Sequence, residues 1–196
     1  MIPVLLLTAA VCSSPLDPLL AKLEAAVYMT GSFRQVDFWA LTLEDEVSVG
    51  TMHLARPDLF RLSYDDPAGA ETGFDGSVLY TVEPEVEQVV IYGDREPGSF
   101  LHLLEEAGDS TACRILDTGP DSTRVELEGD FGQGIILMEV GFTVSDSLPY
   151  LFSTTDLNGN STTYMLHGIT ASGSVPQGVF GLVVPEGYET VEPEGT

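Results

Sequence analysis

Runs in which apolar and polar residues alternate with a period of two fill most of this chain, and they restrict it to sheet. Before Arg56, in VSVGTMHLA, Met52 and Leu54 share a face that Arg56 continues, and Thr51, His53 and Ala55 share the other. In LFRLSY, Phe60, Leu62 and Tyr64 oppose Leu59, Arg61 and Ser63. Successive side chains of a strand point to opposite faces. Segments of this kind build an antiparallel sheet with one apolar and one polar face, covered on one side. The same composition recurs in 31–43, 78–82, 88–92, 113–119, 123–129, 134–146, 148–157 and 161–171. Between these runs lie turn signals. Pro57 cannot donate to a ladder, 65–69 reads as a looser turn, and 83–87 as a hairpin loop. Asn158-Gly159 is the pair favoured by a two-residue type I′ hairpin.

Two segments break the pattern. Residues 17–28 place Leu19, Leu20, Leu23, Ala26 and Val27 on one helical stripe, with Asp17 as N-cap, Pro18 at the first helical position, and Thr30 and Gly31 as the stop. Residues 97–108 bring Phe100, Leu101 and Leu104 to helical spacing and end at Gly108. A sheet with two short helices is an α+β arrangement, mainly antiparallel β. With 196 residues, no visible repeat and no internal linker, it is one domain.

The N-terminal stretch Ile2–Val11 is apolar and too short to span a bilayer, which takes ~20 residues. It reads as the core of a signal peptide over residues 1–14. The alternatives are a buried first strand and a lipid-modified Cys12, although Val11 is bulky for a lipoprotein signal. Residues 15–188 form the domain, and 189–196 an acidic flexible tail. Removal of the leader leaves Cys113 without a partner, as a buried thiol.

Charge narrows the partners. Seven Lys and Arg stand against 31 Asp and Glu, a net charge of −24. Such a chain repels phosphate, which excludes nucleic acid and opposes docking on anionic lipid heads. Adaptation to high salt and solubility explain the acidity equally well. Chemistry-bearing constellations are missing. His53, His102 and His167 have no metal-ligand spacing, and there is no nucleophile elbow or P-loop. The alternation of Asp156, Asn158 and Asn160 resembles a calcium loop, but position 12 is His167, and the hairpin explains these residues better. Asn160-Ser161-Thr162 matches a glycosylation sequon, with nothing to support the eukaryotic route it needs. The sheet has more apolar face than two short helices cover. An enclosed hydrophobic cavity and a tightly packed core both remain open on these residues.

Several motifs occur in order: GSFRQ (Gly31–Gln35), RPDLFR (Arg56–Arg61) with Tyr64 behind, FDGSVLY (Phe74–Tyr80), VEQV (Val86–Val89), the 97–104 segment, TTYML (Thr162–Leu166), and Phe180 to Gly187 with Pro185 between. Their succession over residues 17–188 resembles the periplasmic outer-membrane lipoprotein carrier family, LolA. The resemblance implies an unclosed half β-barrel whose short helices form a lid over a hydrophobic cavity. It implies a cofactor-free, non-enzymatic, monomeric periplasmic carrier. Its partners would be acylated lipoproteins, an inner-membrane ABC transporter complex and an outer-membrane lipoprotein receptor. A lipid or lipoprotein receptor or envelope sensor, anchored at the membrane, is the alternative on the same fold. Met52, Leu54, Phe60, Leu62, Phe74, Phe100 and Leu104 are the expected cavity lining. Arg56, matching the family's arginine before proline, is the expected lid and transfer residue. Leu62 stands where tryptophan is common, Ala55 where lysine is frequent, and Arg34 where a small polar residue is usual.

Overall fold

The computed structural model describes residues 15–93, 103 and 112–193. Among the described residues, helix α1 (Asp17–Ala25) is followed by twelve strands: β1 (Tyr28–Trp39), β2 (Glu44–Ala55), β3 (Leu59–Tyr64), β4 (Glu71–Phe74), β5 (Leu79–Glu83), β6 (Gln88–Tyr92), β7 (Ala112–Thr118), β8 (Ser122–Glu128), β9 (Ile135–Thr143), β10 (Pro149–Asp156), β11 (Ser161–Ser172) and β12 (Glu189–Val191). All join one sheet in the order β12-β6-β5-β4-β3-β2-β1-β11-β10-β9-β8-β7. Every pairing is antiparallel except β12 with β6. The sheet is unclosed, with β12 and β7 at its edges. A sheet this wide curls. Register shifts at Thr30/Ser32, Ile115/Asp117 and Pro149/Leu151 supply local bends.

The inner face carries the main core. Met29, Phe33, Met52, Leu54 and Phe60 from one half of the sheet belong to one cluster with Val125, Leu127, Met138, Val140 and Phe152 from the other. Helix α1 joins it through Leu16, Leu19, Leu23 and Ala26. The helix is shorter than its sequence suggests. Ala26 is already extended, at φ −85° and ψ 120°, and Leu16, not Asp17, is the N-cap, without a side-chain bond. β-Branched Val27 and aromatic Tyr28 prefer strand. The Val27 amide donates to the Ser172 carbonyl at 3.1 Å, and Tyr28 opens β1. The second expected helix lies outside the described residues except Leu103, which is helical and buried.

One strand is additional and three further expectations are corrected. Glu71–Phe74 is a strand that its four residues did not announce. The hairpin at Asn158-Gly159 is a three-residue loop. The Gly159 amide donates to the Asp156 carbonyl at 3.0 Å, and Gly159 has φ +84° while Asn158 does not have positive φ. This is a type I turn followed by a left-handed glycine. The Asp156 carboxylate fixes it by accepting from the amides of Asn158 and Asn160 at 2.8 and 2.9 Å. Cys113 is exposed on the edge strand β7, not buried. Finally, the segment from 189 does not simply fray: Glu189–Val191 pairs with Gln88–Val90.

That pairing alters the sheet's other face. Phe180 packs with Tyr28 and Ala55, and Leu182 and Tyr188 pack with Tyr80, Val82 and Val89. The C-terminal segment therefore straps the outer face of β1–β6. In this half the sheet is covered on both sides, where the sequence pattern suggested one.

Candidate functional site

The inner face is built from cross-strand pairs. Met52 stands opposite Leu62, and Leu54 opposite Phe60, between β2 and β3; Phe60 stands opposite Phe74 between β3 and β4. Directly opposed side chains are the contact unit of a sheet. Five of the expected lining residues thus meet on one surface. Met52, Leu54 and Phe60 are buried, and Leu62 and Phe74 are partly buried against them. Phe100 and Leu104 lie outside the described residues.

Beyond these, the surface continues through residues that the sequence reading did not single out. Phe33 meets Tyr64 edge-on, with centroids 5.5 Å apart, and Tyr164 at 6.0 Å. Burial pushes both phenols up, that of Tyr164 most, so both stay neutral. Phe152, Met138 and Val140 complete the far wall. Their signal lies in 134–146, where Met138 and Val140 alternate with Glu139 and Gly141.

Toward the β1–β2 turn the surface becomes polar. A cavity of about 250 Å³ opens there, lined by Asp37, Trp39, Ile135, Thr154, Asn160 and Thr162 among others. The Asp37 carboxylate accepts from Gln35 Nε2 and Thr162 Oγ1, both at 2.6 Å. Apolar lining inside and hydrogen-bonding groups at one end suit an amphiphile with its polar end outward.

Arg56 lies just beyond β2, half-buried. Its amide donates to the Val27 carbonyl at 3.3 Å, immediately after the C-cap of α1. Its main chain therefore sits beside the junction between helix and sheet.

A polar cluster occupies the outer face where the sequence pattern suggested solvent. The Arg61 guanidinium donates to the Val179 carbonyl at 3.0 Å and pairs with Glu71. That hydrogen bond with Glu71 holds the guanidinium pKa above its ordinary value. His53 stacks on Tyr28, and its Nδ1 lies 2.7 Å from the Tyr28 hydroxyl. Burial, reinforced by Arg61, lowers the His53 pKa below its ordinary 6.5. The Tyr80 ring lies across Gly73, where a Cβ would come within 2.6 Å of its hydroxyl oxygen. Burial pushes the Tyr80 phenol up to about 12. No sequence signal identified this cluster, because only the returning C-terminal segment buries it.

Among the described residues, no group of three or more His, Cys, Asp or Glu is placed to hold a metal. No helix among them is long and apolar enough to cross a membrane.

Comparison with known proteins agrees with this architecture. The family described as "Outer membrane lipoprotein carrier protein LolA" matches residues 24–183. An outer-membrane lipoprotein carrier protein of Pasteurella multocida is 26% identical over 141 residues, covering 71% of this chain and 68% of the relative. An uncharacterized conserved protein from Thermus thermophilus superposes with a TM-score of 0.58 at 13% identity, over 89% of this chain and 97% of the other. The structure of MucB superposes with a TM-score of 0.50 at 14% identity, over 88% of this chain and 64% of the other. Likeness at such low identity shows a shared fold.

Proposed function

The chain belongs to the LolA family of outer-membrane lipoprotein carriers, periplasmic carrier proteins rather than enzymes, and from that membership we propose that it takes up the acyl chains of lipoproteins on its inner face and carries them from the inner to the outer membrane. The observation that supports this reading best is the pairing of Met52 with Leu62, Leu54 with Phe60, and Phe60 with Phe74 on one face of an unclosed sheet, beside α1. Exposed acyl chain costs about 0.8 kcal/mol per CH₂ in water, so a carrier must shield it with apolar surface. Release requires that the shield open at modest cost. In this reading α1, whose Leu19 and Leu23 pack on the inner face, is the part that opens.

In this reading Met52, Leu54, Phe60, Leu62 and Phe74 contact acyl chain, Phe100 and Leu104 extend the lining, and Arg56 governs the lid. Arg56 has five guanidinium donors, and the last turn of α1 leaves carbonyls without helical partners. Bonds from a charged donor are worth ~1.5–3 kcal/mol, enough to bias a lid without locking it. The donor complex would be an inner-membrane ABC transporter and the acceptor an outer-membrane receptor, with the carrier acting as a monomer after loss of residues 1–14. An anchored receptor or sensor, tethered at Cys12, is the competing reading; mass spectrometry of the native protein separates the two by the presence of an acyl group on Cys12. The functional test is a two-step transfer assay with purified membrane partners. Arg56→Leu should keep the fold and cargo uptake and slow hand-over; hand-over at the wild-type rate would remove Arg56 from the mechanism.

A further inference from the structure

A second surface, bordering the polar end of the inner face, stands out at the tips of two hairpins. In the β1–β2 connection Leu41 is 96% exposed and Leu43 77%, and Trp39 at the end of β1 is 51% exposed; at the β10–β11 tip Leu157 is 72% exposed. The two tips are joined. The Ala40 amide donates to Asn160 Oδ1 at 3.1 Å, and a Cβ on Gly159 would lie 3.4 Å from that of Ala40. The Leu157 amide donates to the Gly134 carbonyl at 3.0 Å, which ties in the β8–β9 turn as well. Turns of this kind ordinarily carry polar residues. Single exposed apolar side chains need no explanation, but a group of them held together and rimmed by polar residues marks an interaction site.

The charged residues of the rim are all acidic. Exposed Glu44, Asp45 and Glu46 stand opposite Trp39, Phe38 and Asp37 across the hairpin, and Asp156 flanks the second tip. No Lys or Arg occurs in 35–55 or 125–196, the two stretches that build these tips. We propose that the joined tips dock into an apolar groove with a basic rim on a separate protein. A second copy of this chain would set these acids against the same acids. An anionic bilayer would repel them in the same way. A basic-rimmed protein groove satisfies both the apolar side chains and the unbalanced charge.

The test uses the full-length protein in its native cells with a photo-activated diazirine side chain at position 41, and at Val183 as the control. Val183 is equally bare, at 77% exposure, and lies on the strap. The expected result is a protein adduct at position 41 and not at 183, identified by mass spectrometry. That protein, purified alone, should bind the wild type with an affinity that falls as NaCl rises from about 50 to 300 mM. Leu41→Ser/Leu43→Ser, which leaves the charge unchanged, should weaken binding roughly tenfold or more, with an unchanged circular dichroism spectrum. Adducts to lipid, adducts to a second copy, no adduct above the control, or full affinity in the double variant would each overturn the proposal. Vesicles of phosphatidylethanolamine and phosphatidylglycerol provide the membrane arm, read by the emission of Trp39, the chain's single tryptophan. A blue shift there that the double substitution abolishes would assign the tip to lipid instead.

Discussion

Replacing Arg61 with leucine tests how the C-terminal strap is held. Leucine keeps much of the aliphatic volume and removes both polar contacts. The bond to the Val179 carbonyl comes from a charged donor and is worth ~1.5–3 kcal/mol. The pair with Glu71 adds less. Its side chains keep 26% and 20% of their exposure, so solvent screens the pair and its contribution is at most about 1 kcal/mol. Together the loss is about 1.5–4 kcal/mol, and it falls on the strap because Arg61 bonds to the strap carbonyl of Val179. Each 1.4 kcal/mol is about tenfold in an opening equilibrium, so strap amides should exchange at least about tenfold faster. The most informative amide is that of Glu189, which donates to the Glu87 carbonyl at 2.9 Å. Hydrogen exchange read by mass spectrometry should show the gain over 179–191, with β1 and β10 unchanged. Equal exchange in the two proteins would refute the clasp. A uniform gain across the whole sheet would show that Arg61 supports global stability instead.

Three other outcomes follow from the same face and its neighbour. Gly73→Ala should cost about 1–3 kcal/mol by pressing a methyl group into the Tyr80 ring; calorimetry should show a lower Tm, partly restored by adding Tyr80→Phe. Tyr80→Phe alone should be close to neutral, because the hydroxyl it removes is buried without a hydrogen-bond partner among the described residues. His53 has a folded pKa below its ordinary 6.5, so the unfolded chain takes up the proton first as pH falls. Its contribution is complete above 6.5 and is lost as pH falls through the folded value. Urea midpoints at pH 7.5 and 5.5 should therefore drop further in the wild type than in His53→Gln; parallel losses would remove His53 from the acid response.

Period-two alternation was a sound guide wherever one face is packed and the other is not. It put Met52, Leu54, Phe60 and Leu62 on a common side, and the register pairs them. Met138 and Val140 of the far wall also share one side of their strand, but alternation within a strand does not say which side of the sheet that is; the pairing of Phe152 with Val140 does. Alternation reports local contrast, however, and cannot report what returns from a distant part of the chain. Arg61 and Ser63, with His53 on the neighbouring strand, look like a solvent face, and only Val179–Tyr188, more than a hundred positions later, covers that side of the sheet. Tyr80, Val82 and Val89 are buried for the same reason. The helix end was misjudged because Val27 and Tyr28 extend the apolar spacing of 17–26 while preferring strand geometry. In the turn after Asp156, the Asn-Gly pair was recognised but not its type, which depends on Asn160 re-entering the ladder through its carbonyl to the Asp156 amide. Cys113 was misplaced because an edge strand carries apolar composition without having both faces covered. The exposed Leu41 and Leu43 belong to a run read simply as strand, and their exposure follows from the turn at 40–43.

Methyl NMR of the methionines tests most directly whether the inner face holds acyl chains. Met29, Met52 and Met138 belong to the inner-face core, whereas Met165 points to the opposite face by the parity of β11, next to inward Tyr164 and Leu166. On addition of a synthetic triacylated lipopeptide with a neutral peptide portion, the Met52 methyl resonance should shift or broaden, with Met29 or Met138 responding beside it. The Met165 resonance should stay in place, and the same peptide without acyl chains should move none of them. Unchanged Met52, Met29 and Met138 resonances at saturating lipopeptide, or a response confined to Met165, would contradict acyl binding on this face.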